Sequence, residues 1–181
     1  MVRFNPYTNQ KFLRGAIVCL SALLLGHLLT GCVSIKVRAN KDEAAVKKIK
    51  RLFVLIQHGD IGKQSYPDEL AAAMRNAFTN TPVVTEISIA NPLELDESVH
   101  RQQIDAFGGD AVLLIRATGG IVNQSGGYQK LLYDASLFDP QLKKRVWRAR
   151  VDNSGGTWLM KRRFREMSES IVRQLKSDGF I

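Results

Sequence analysis

The chain has 181 residues, of which 45% are hydrophobic and 24% are charged, the proportions of a globular protein with room for one domain rather than of a disordered or polytopic membrane protein. Its formal charge is +9, from 26 basic and 17 acidic residues, which favours association with anionic surfaces. With two cysteines, Cys19 and Cys32, the composition also excludes a disulfide-rich miniprotein and a cysteine-rich zinc module.

Residues 1–31 have the pattern of a secretory signal peptide. The first 14 residues contain Arg3, Lys11 and Arg14 but no acidic residue, and residues 15–29 form a mainly apolar run. A helix that spans the hydrocarbon core needs about 20 apolar residues, whereas the apolar part of a signal peptide is shorter. The segment is therefore predicted to be a cleaved signal peptide rather than a retained membrane anchor.

The end of this segment, Leu29, Thr30, Gly31 and Cys32, resembles the lipobox of bacterial lipoproteins. The resemblance implies that the Cys32 thiol receives diacylglycerol and that the chain is cut just before it. The alternative is an ordinary signal-peptide junction, in which Cys32 is a small buried residue. A processed and lipidated chain keeps no free thiol, because Cys19 is removed with the signal, and this excludes thiol catalysis.

The residue after the cysteine bears on which membrane holds the protein. In lipoproteins of bacteria with two membranes, Asp at this position tends to retain the protein at the inner membrane, whereas here Val33 follows. The lipobox resemblance therefore implies the periplasmic leaflet of the cell outer membrane, with an inner-membrane lipoprotein as the alternative.

Residues 32–50 are predicted to be the lipidated cysteine and a charged tether. Removal of the signal peptide leaves 150 residues with 23 basic and 17 acidic side chains, a formal charge of +6. Basic side chains next to a lipid anchor could lie on anionic headgroups, at about 1 kcal/mol each, or they could belong to a solvated linker. Those of the tether are Lys36, Arg38, Lys41, Lys47, Lys48 and Lys50.

Residues 51–181 alternate between strand and helix patterns and are predicted to be one periplasmic domain. Short apolar or alternating runs predict strands, and apolar side chains at helical spacing predict helices. The predicted elements are a strand at 52–56, a helix at 67–78, a strand at 83–89, a helix at 96–107, strands at 111–115, 131–137 and 143–151, and a helix at 158–177. The order β-α-β-α-β-β-β-α predicts an α/β (α+β) fold with a single mixed sheet of about five strands and three packing helices.

Turn residues mark the ends of the later elements. Glycine pairs at 119–120 and 126–127 predict a turn region between the third and fourth strands. Asp139 and Pro140 predict the turn of an antiparallel hairpin, and Gly179 is predicted to end the last helix.

No sequence motif indicates an enzyme. Residues 59–63 lie where a phosphate-binding loop would be, but Gln57 and Gln64 replace the first glycine and the hydroxyl residue that the pattern requires. His58 could form an acid–base or metal pair with Asp60, but catalytic zinc commonly takes three protein ligands. We expect a structural role for His58, no catalytic residues, no metal and no cofactor other than the lipid on Cys32.

The richest signal is a basic segment from residue 143 to residue 165, in which Asp152 is the one acidic residue. Within it, Trp147 and Trp158 flank Arg148 and Arg150, which share a strand face, and arginine together with aromatic residues is typical of recognition surfaces. Acidic proteins, anionic lipid headgroups and cell-wall polymers would suit such a patch, whereas the export signal argues against nucleic acid; the alternative is a solvated sheet face and helix flank. The predicted patch consists of Lys143, Lys144, Arg145, Arg148, Arg150, Arg162 and Arg163.

Three segments resemble the strand–turn–strand of periplasmic lipoproteins whose domain is similar to the TolB amino-terminal domain: residues 110–115, 137–140 and 146–148. The resemblance covers roughly residues 50–178 in the order of elements. That group includes curli-secretion lipoproteins and activators of peptidoglycan synthases, so it implies a role in assembling or regulating envelope machinery. The long proline-rich linker of the synthase activators is missing here.

Together these patterns predict a lipid-anchored, non-enzymatic envelope lipoprotein that faces the periplasm and binds an envelope protein partner. The alternatives are a regulator of peptidoglycan synthesis, a subunit of a secretion pore, and an envelope hydrolase that depends on His58 and Asp60.

Overall fold

The computed structural model describes residues 32–59, 61–91 and 98–181. The predicted signal peptide, the lipobox residues Leu29, Thr30 and Gly31, and the candidate Asp60 lie outside the described residues. Residues 33–181 form one compact unit.

One mixed sheet and three helices build this unit, as predicted. The sheet order is β1-β6-β5-β4-β2-β3, with β2 parallel to β3 and β4 and all other neighbours antiparallel. Short 3-10 helices lie at Glu43–Ala45 and Thr157–Leu159. The strands are β1 (Ser34–Lys41), β2 (Arg51–Gln57), β3 (Val84–Ile89), β4 (Ala111–Val122), β5 (Tyr128–Asp139) and β6 (Lys144–Ser154), and the helices are α1 (Tyr66–Phe78), α2 (Ser98–Phe107) and α3 (Met160–Ser177).

The prediction of about five strands is wrong, because residues 34–41 of the predicted tether form a sixth strand at the sheet edge. This strand, β1, pairs with β6 from Ser34 opposite Ser154 to Lys41 opposite Trp147. Its apolar residues alternate with polar ones, which is the period of a strand with one wet face. The density of basic residues concealed this period, and the observed element order therefore begins with two strands before the first α-helix, not with one.

The hairpin between β4 and β5 is longer than predicted. The glycines at 119–120 lie inside β4, beside an irregularity in the pairing, rather than in a turn. A side chain at Gly120 would have its Cβ 2.6 Å from the ring of Tyr128, so the glycine allows that ring to pack across the hairpin. The turn itself is closed by Asn123, whose Oδ1 accepts the backbone N–H groups of Ser125 and Gly127.

The core lies between the sheet and the pair α1 and α3. The predicted apolar stripe of α3 is buried there as expected, including Phe164, Met167 and Ile171. On the opposite side of the sheet, α2 covers β2, where the ring centroids of Phe107 and Phe53 are 6.1 Å apart. The four strands β1, β6, β5 and β4 leave their other face largely uncovered. None of the helices in the described ranges is long and apolar enough to cross a membrane.

Candidate functional site

The uncovered side of β1, β6, β5 and β4 carries a concentration of basic side chains that we call the cationic face. One row crosses all four strands, because Arg38 pairs with Arg150, Arg150 with Asp134, and Asp134 with Arg116. The basic residues of the whole cationic face are Lys36, Arg38, Arg116, Lys130, Arg145, Arg148 and Arg150, and its carboxylates are Asp134 and Asp152.

The two carboxylates neutralise only part of this charge. Arg148 Nη2 donates to Asp134 Oδ2, and Arg150 Nε lies 3.9 Å from Asp134 Oδ1. The side chains of these two arginines remain 53% and 60% exposed. Lys130 Nζ donates to Asp152 Oδ2 at 2.8 Å, and this hydrogen bond lowers the pKa of that carboxyl below its ordinary value. The face therefore keeps a net positive charge that water, rather than protein, solvates.

Two open grooves run across the cationic face. The larger, of about 730 Å³, lies between β1 and β6 and includes Arg38, Arg148 and Arg150 in its lining. The smaller, of about 260 Å³, continues over β5 and β4 to Arg116. Asp134, Arg145 and Arg148 line both grooves, so the two grooves lie next to each other on this face.

The predicted basic patch divides between several parts of the molecule. Arg145, Arg148 and Arg150 lie on the cationic face, with the Arg145 guanidinium 5.6 Å from the centre of the Phe138 ring. Lys143 is exposed in the turn before β6 with a positive φ of 52°.

Two further members of the predicted patch lie elsewhere in ion pairs. Lys144 Nζ donates to Asp42 Oδ2 at 2.7 Å. Arg162 lies on α3, on the other side of the sheet, where it pairs with Glu166 at 2.7 Å. The sequence run is therefore not one surface.

Arg163 was wrongly assigned to the patch, because its side chain is 0% exposed. Its guanidinium donates to Asn153 Oδ1 at 2.9 Å and to the carbonyls of Asn153, Tyr128 and Gly155 at 2.6, 2.7 and 3.0 Å. All four acceptors are neutral, and burial lowers the pKa of Arg163 from its ordinary value. This side chain stabilises the junction of β5, β6 and α3 and is unavailable to a partner.

His58 is buried in the same helix-covered layer. Its Nε2 lies 2.8 Å from the hydroxyl oxygen of Tyr133, and edge-on contacts join its ring to Tyr66 and Phe164. Burial lowers the pKa of His58 below its ordinary 6.5. The arrangement suits a neutral histidine inside a packed core. No group of three metal-ligating side chains occurs among the residues that the structure describes.

Sequence reasoning missed four members of the cationic face, namely Lys36, Arg38, Arg116 and Lys130. Arg38 was assigned to the tether, although it alternates with Val37 and Ala39 in a strand pattern. Arg116 extends the apolar run of β4 and gave no local signal. Its place beside Asp134 follows from strand pairing between distant segments.

A second feature lies at the end of the sheet where β1 begins. Cys32 is exposed and precedes β1 by two residues. Ser34 pairs with Ser154, and the chain after that serine leads to Trp158, which is 79% exposed. Trp158 shares a groove of about 610 Å³ with Ile121. Large exposed apolar side chains thus gather at the end that carries the cysteine.

The sequence predicted that Trp147 and Trp158 both flank basic residues of the patch, and the structure does not place both of them there. Trp147 is buried and donates from Nε1 to Asp178 Oδ2 at 2.7 Å. Trp158 packs over Gly156, where an added Cβ would lie 2.7 Å from the indole ring.

Comparison with known proteins shows a shared fold. No protein-family model and no curated protein matches the sequence. Among solved structures, a PelC dodecamer from Paraburkholderia phytofirmans is similar with a TM-score of 0.51 and 14% identity, over 82% of this chain and 99% of that chain. Lipoprotein GNA1162 from Neisseria meningitidis gives a TM-score of 0.40 and 16% identity, over 71% of this chain and 99% of that chain. At this identity, the PelC likeness shows the fold alone.

Proposed function

We propose that this chain is a lipid-anchored, non-enzymatic protein of the bacterial cell envelope, held at the periplasmic leaflet of the outer membrane through Cys32 and binding an envelope partner through its cationic face. The observation that carries the proposal is the position of Cys32, two residues before the sheet and at the end where Trp158 and Ile121 are exposed.

The short connection to β1 decides how a lipid would hold the domain. Two residues span at most about 7 Å, so diacylglycerol on Cys32 would keep the start of the sheet close to the headgroups. Tryptophan is favoured at membrane–water interfaces, because its ring is apolar and its N–H is polar. Trp158 and Ile121 would then contact the bilayer surface beside the anchor, and this contact would account for their exposure to solvent in the isolated domain.

The non-enzymatic assignment is supported by how the candidate catalytic histidine is used. His58 is 2% exposed and its Nε2 is engaged by the Tyr133 hydroxyl. A general base must reach a substrate, and this ring is enclosed by aromatic side chains instead.

A subunit role in an envelope assembly is the second candidate. It is favoured by the fold shared with a PelC protein that is described as a dodecamer. Mass photometry of the full-length protein in detergent tests this role: a ring gives one large discrete mass, whereas a monomer peak alone contradicts it.

The lipid anchor is tested with the variant Cys32→Ser, whose palmitate labelling and intact mass are measured. We expect the label to disappear and the uncut precursor to accumulate. Cys19→Ser is the matched control, since it changes the other cysteine and should leave labelling and processing intact. A Cys32→Ser protein with the mature mass of the wild type would overturn the proposal.

A further inference from the structure

We propose that the cationic face binds an anionic polysaccharide whose sugar units carry carboxylates. The inference deepens the proposed function by giving the chemical class of the partner. Binding by the purified protein needs no lipid anchor, so the two proposals fail separately.

The identity of the basic side chains points to carboxylates. Five of the seven cations are arginines, and the planar guanidinium matches a carboxylate with two parallel hydrogen bonds. The face already holds one such group from its own chain, since Asp134 lies between Arg148 and Arg150. A carboxylate from a ligand would meet the same donors.

The spacing of the charges suits a polymer. Neighbouring strands are about 4.8 Å apart, and alternate residues on one strand are about 6.7 Å apart. The row from Arg38 through Arg150 to Arg116 therefore spreads over roughly 14 Å, and Arg148 opens a second row beside it. A chain with one charge on each sugar engages several of these sites at once, which raises its affinity through effective concentration.

The lining of the grooves argues against a protein partner. Stable protein interfaces are built around apolar or aromatic anchors. The large hydrophobic side chains that are exposed within the described residues are Val84, Ile121, Val122, Leu142 and Trp158, and none of them lines either groove. The large apolar residues that do line the grooves are buried or half-buried, namely Leu114, Phe138, Val146 and Trp147. The larger groove is also open to solvent, unlike the enclosed pockets that hold small molecules.

The position of the larger groove argues against lipid headgroups. Arg38 lies four residues along β1 from Ser34, about 13 Å, and Lys41 lies about 23 Å along the strand. Both line this groove. If the start of β1 faces the membrane, the groove extends away from the bilayer towards the periplasm.

Asp134 has a specific role in this scheme, as an internal competitor. Its carboxylate accepts a hydrogen bond from Arg148 Nη2 and lies 3.9 Å from Arg150 Nε, so it competes with a ligand for the charge of both arginines. Replacement with the nearly isosteric asparagine removes the negative charge and keeps the shape. We therefore expect Asp134→Asn to bind the polymer several-fold more tightly.

The test measures the Kd of the full-length protein in detergent for polygalacturonate. The fully methyl-esterified polymer is the uncharged control ligand. We expect binding to the acid form alone, weakened by added salt because exposed charges are screened. The double variant Arg148→Gln with Arg150→Gln should bind about tenfold more weakly. Arg165→Gln with Arg173→Gln, which removes two exposed arginines of α3, is the matched control and should stay within about twofold.

Three results would overturn the inference: equal binding of the ester, an equal loss in the α3 control, or no binding of the acid form by a wild-type protein whose circular dichroism shows it folded. Weaker binding by Asp134→Asn would overturn the role of Asp134 as a competitor. Wild-type protein separates the two proposals. A wild type that carries no palmitate label but binds the polymer overturns the lipid anchor and leaves this inference standing, whereas a labelled wild type that does not bind the polymer does the reverse.

Discussion

The two sides of the sheet use arginine in opposite ways. On the helix-covered side, Arg163 is fully buried and all of its hydrogen-bond acceptors are neutral. On the cationic face, Arg148 and Arg150 are more than half exposed around one carboxylate. The buried guanidinium orders the backbone, whereas the exposed ones keep their charge available to a ligand.

The difference shows why a run of basic residues does not define a surface. Arg163 lies in α3 between Met160 and Met167, at the i, i+3, i+4, i+7 positions shared with Phe164, so helical periodicity already places it on the buried stripe. Charge alone places it outside. Periodicity is the stronger guide here, because it determines on which side of the helix a side chain lies, whereas charge does not.

Arg163→Met is the strongest test of this contrast. The substitution keeps much of the apolar stem but leaves the side-chain oxygen of Asn153 and three carbonyls without their donor, and each unsatisfied buried group costs about 1–3 kcal/mol. We expect a loss of at least about 3 kcal/mol in the free energy of unfolding, measured with urea. Arg165→Met, on the exposed side of α3, should cost less than about 0.5 kcal/mol. A loss below 1 kcal/mol for the Arg163 variant would contradict the role assigned to it.

Asp139 and Asp134 offer the same contrast between carboxylates on one strand. Asp139 is 2% exposed, accepts the N–H groups of Gln141 and Leu142, and lies 2.6 Å from Lys47 Nζ. Burial opposes its ionisation, yet these hydrogen bonds hold the pKa of Asp139 below its ordinary 3.8. We expect Asp139→Ala to lower the free energy of unfolding by about 2 kcal/mol at pH 7, and Asp134→Ala to lower it by less than about 1 kcal/mol.

The pH dependence of this loss follows from the lowered pKa. A carboxyl whose pKa is lowered on folding stabilises the protein above its unfolded value, and the stabilisation disappears as the pH falls through 3.8 towards the folded pKa. Urea unfolding at pH 5 and pH 3 should therefore show the gap between wild type and Asp139→Ala becoming smaller. A gap of constant size would show that Asp139 acts without its charge.

His58 gives a smaller effect with its own pH window. Because burial lowers its pKa below 6.5, the unfolded chain binds a proton more readily than the folded protein. The stability contributed by neutral His58 is complete above pH 6.5 and is lost as the pH falls below it. We expect the free energy of unfolding of wild type to fall between pH 7 and pH 5.5, and the profile of His58→Gln to be flatter. Parallel profiles would contradict this.

Local patterns in the sequence predicted the parts of the fold that depend on burial. The continuous apolar run of β2, the stripe of α3 and the turn at Asp139 were confirmed, because each places hydrophobic or turn-forming residues at a fixed spacing. The strand β1 was missed because it lies at an edge with half of its side chains wet. Its neighbour in the sheet is β6, from the far end of the chain, and no local pattern indicates that pairing.

The cationic face, like the fold, was predictable only where it depends on a local pattern in the sequence. Arg148 and Arg150 were correctly placed on one strand face, because alternate residues share a side. Arg38 and Arg116 reach the same surface through pairing between strands that are remote in sequence. A surface assembled across four strands is a property of the topology, and the sequence showed only the strand that holds three of its members, Arg145, Arg148 and Arg150.

A small loss of stability is expected for Arg148→Gln with Arg150→Gln, and it is informative because the same variant should bind the polymer more weakly. Both side chains are exposed, and surface ion pairs of this kind contribute about 0–1 kcal/mol. We expect the urea midpoint of the double variant to stay near that of wild type while its Kd for polygalacturonate rises. Arg163→Met should do the reverse, because it loses stability and keeps every arginine of the cationic face. If both variants changed binding only in proportion to their stability, the two sides of the sheet would not have the separate roles that their burial indicates.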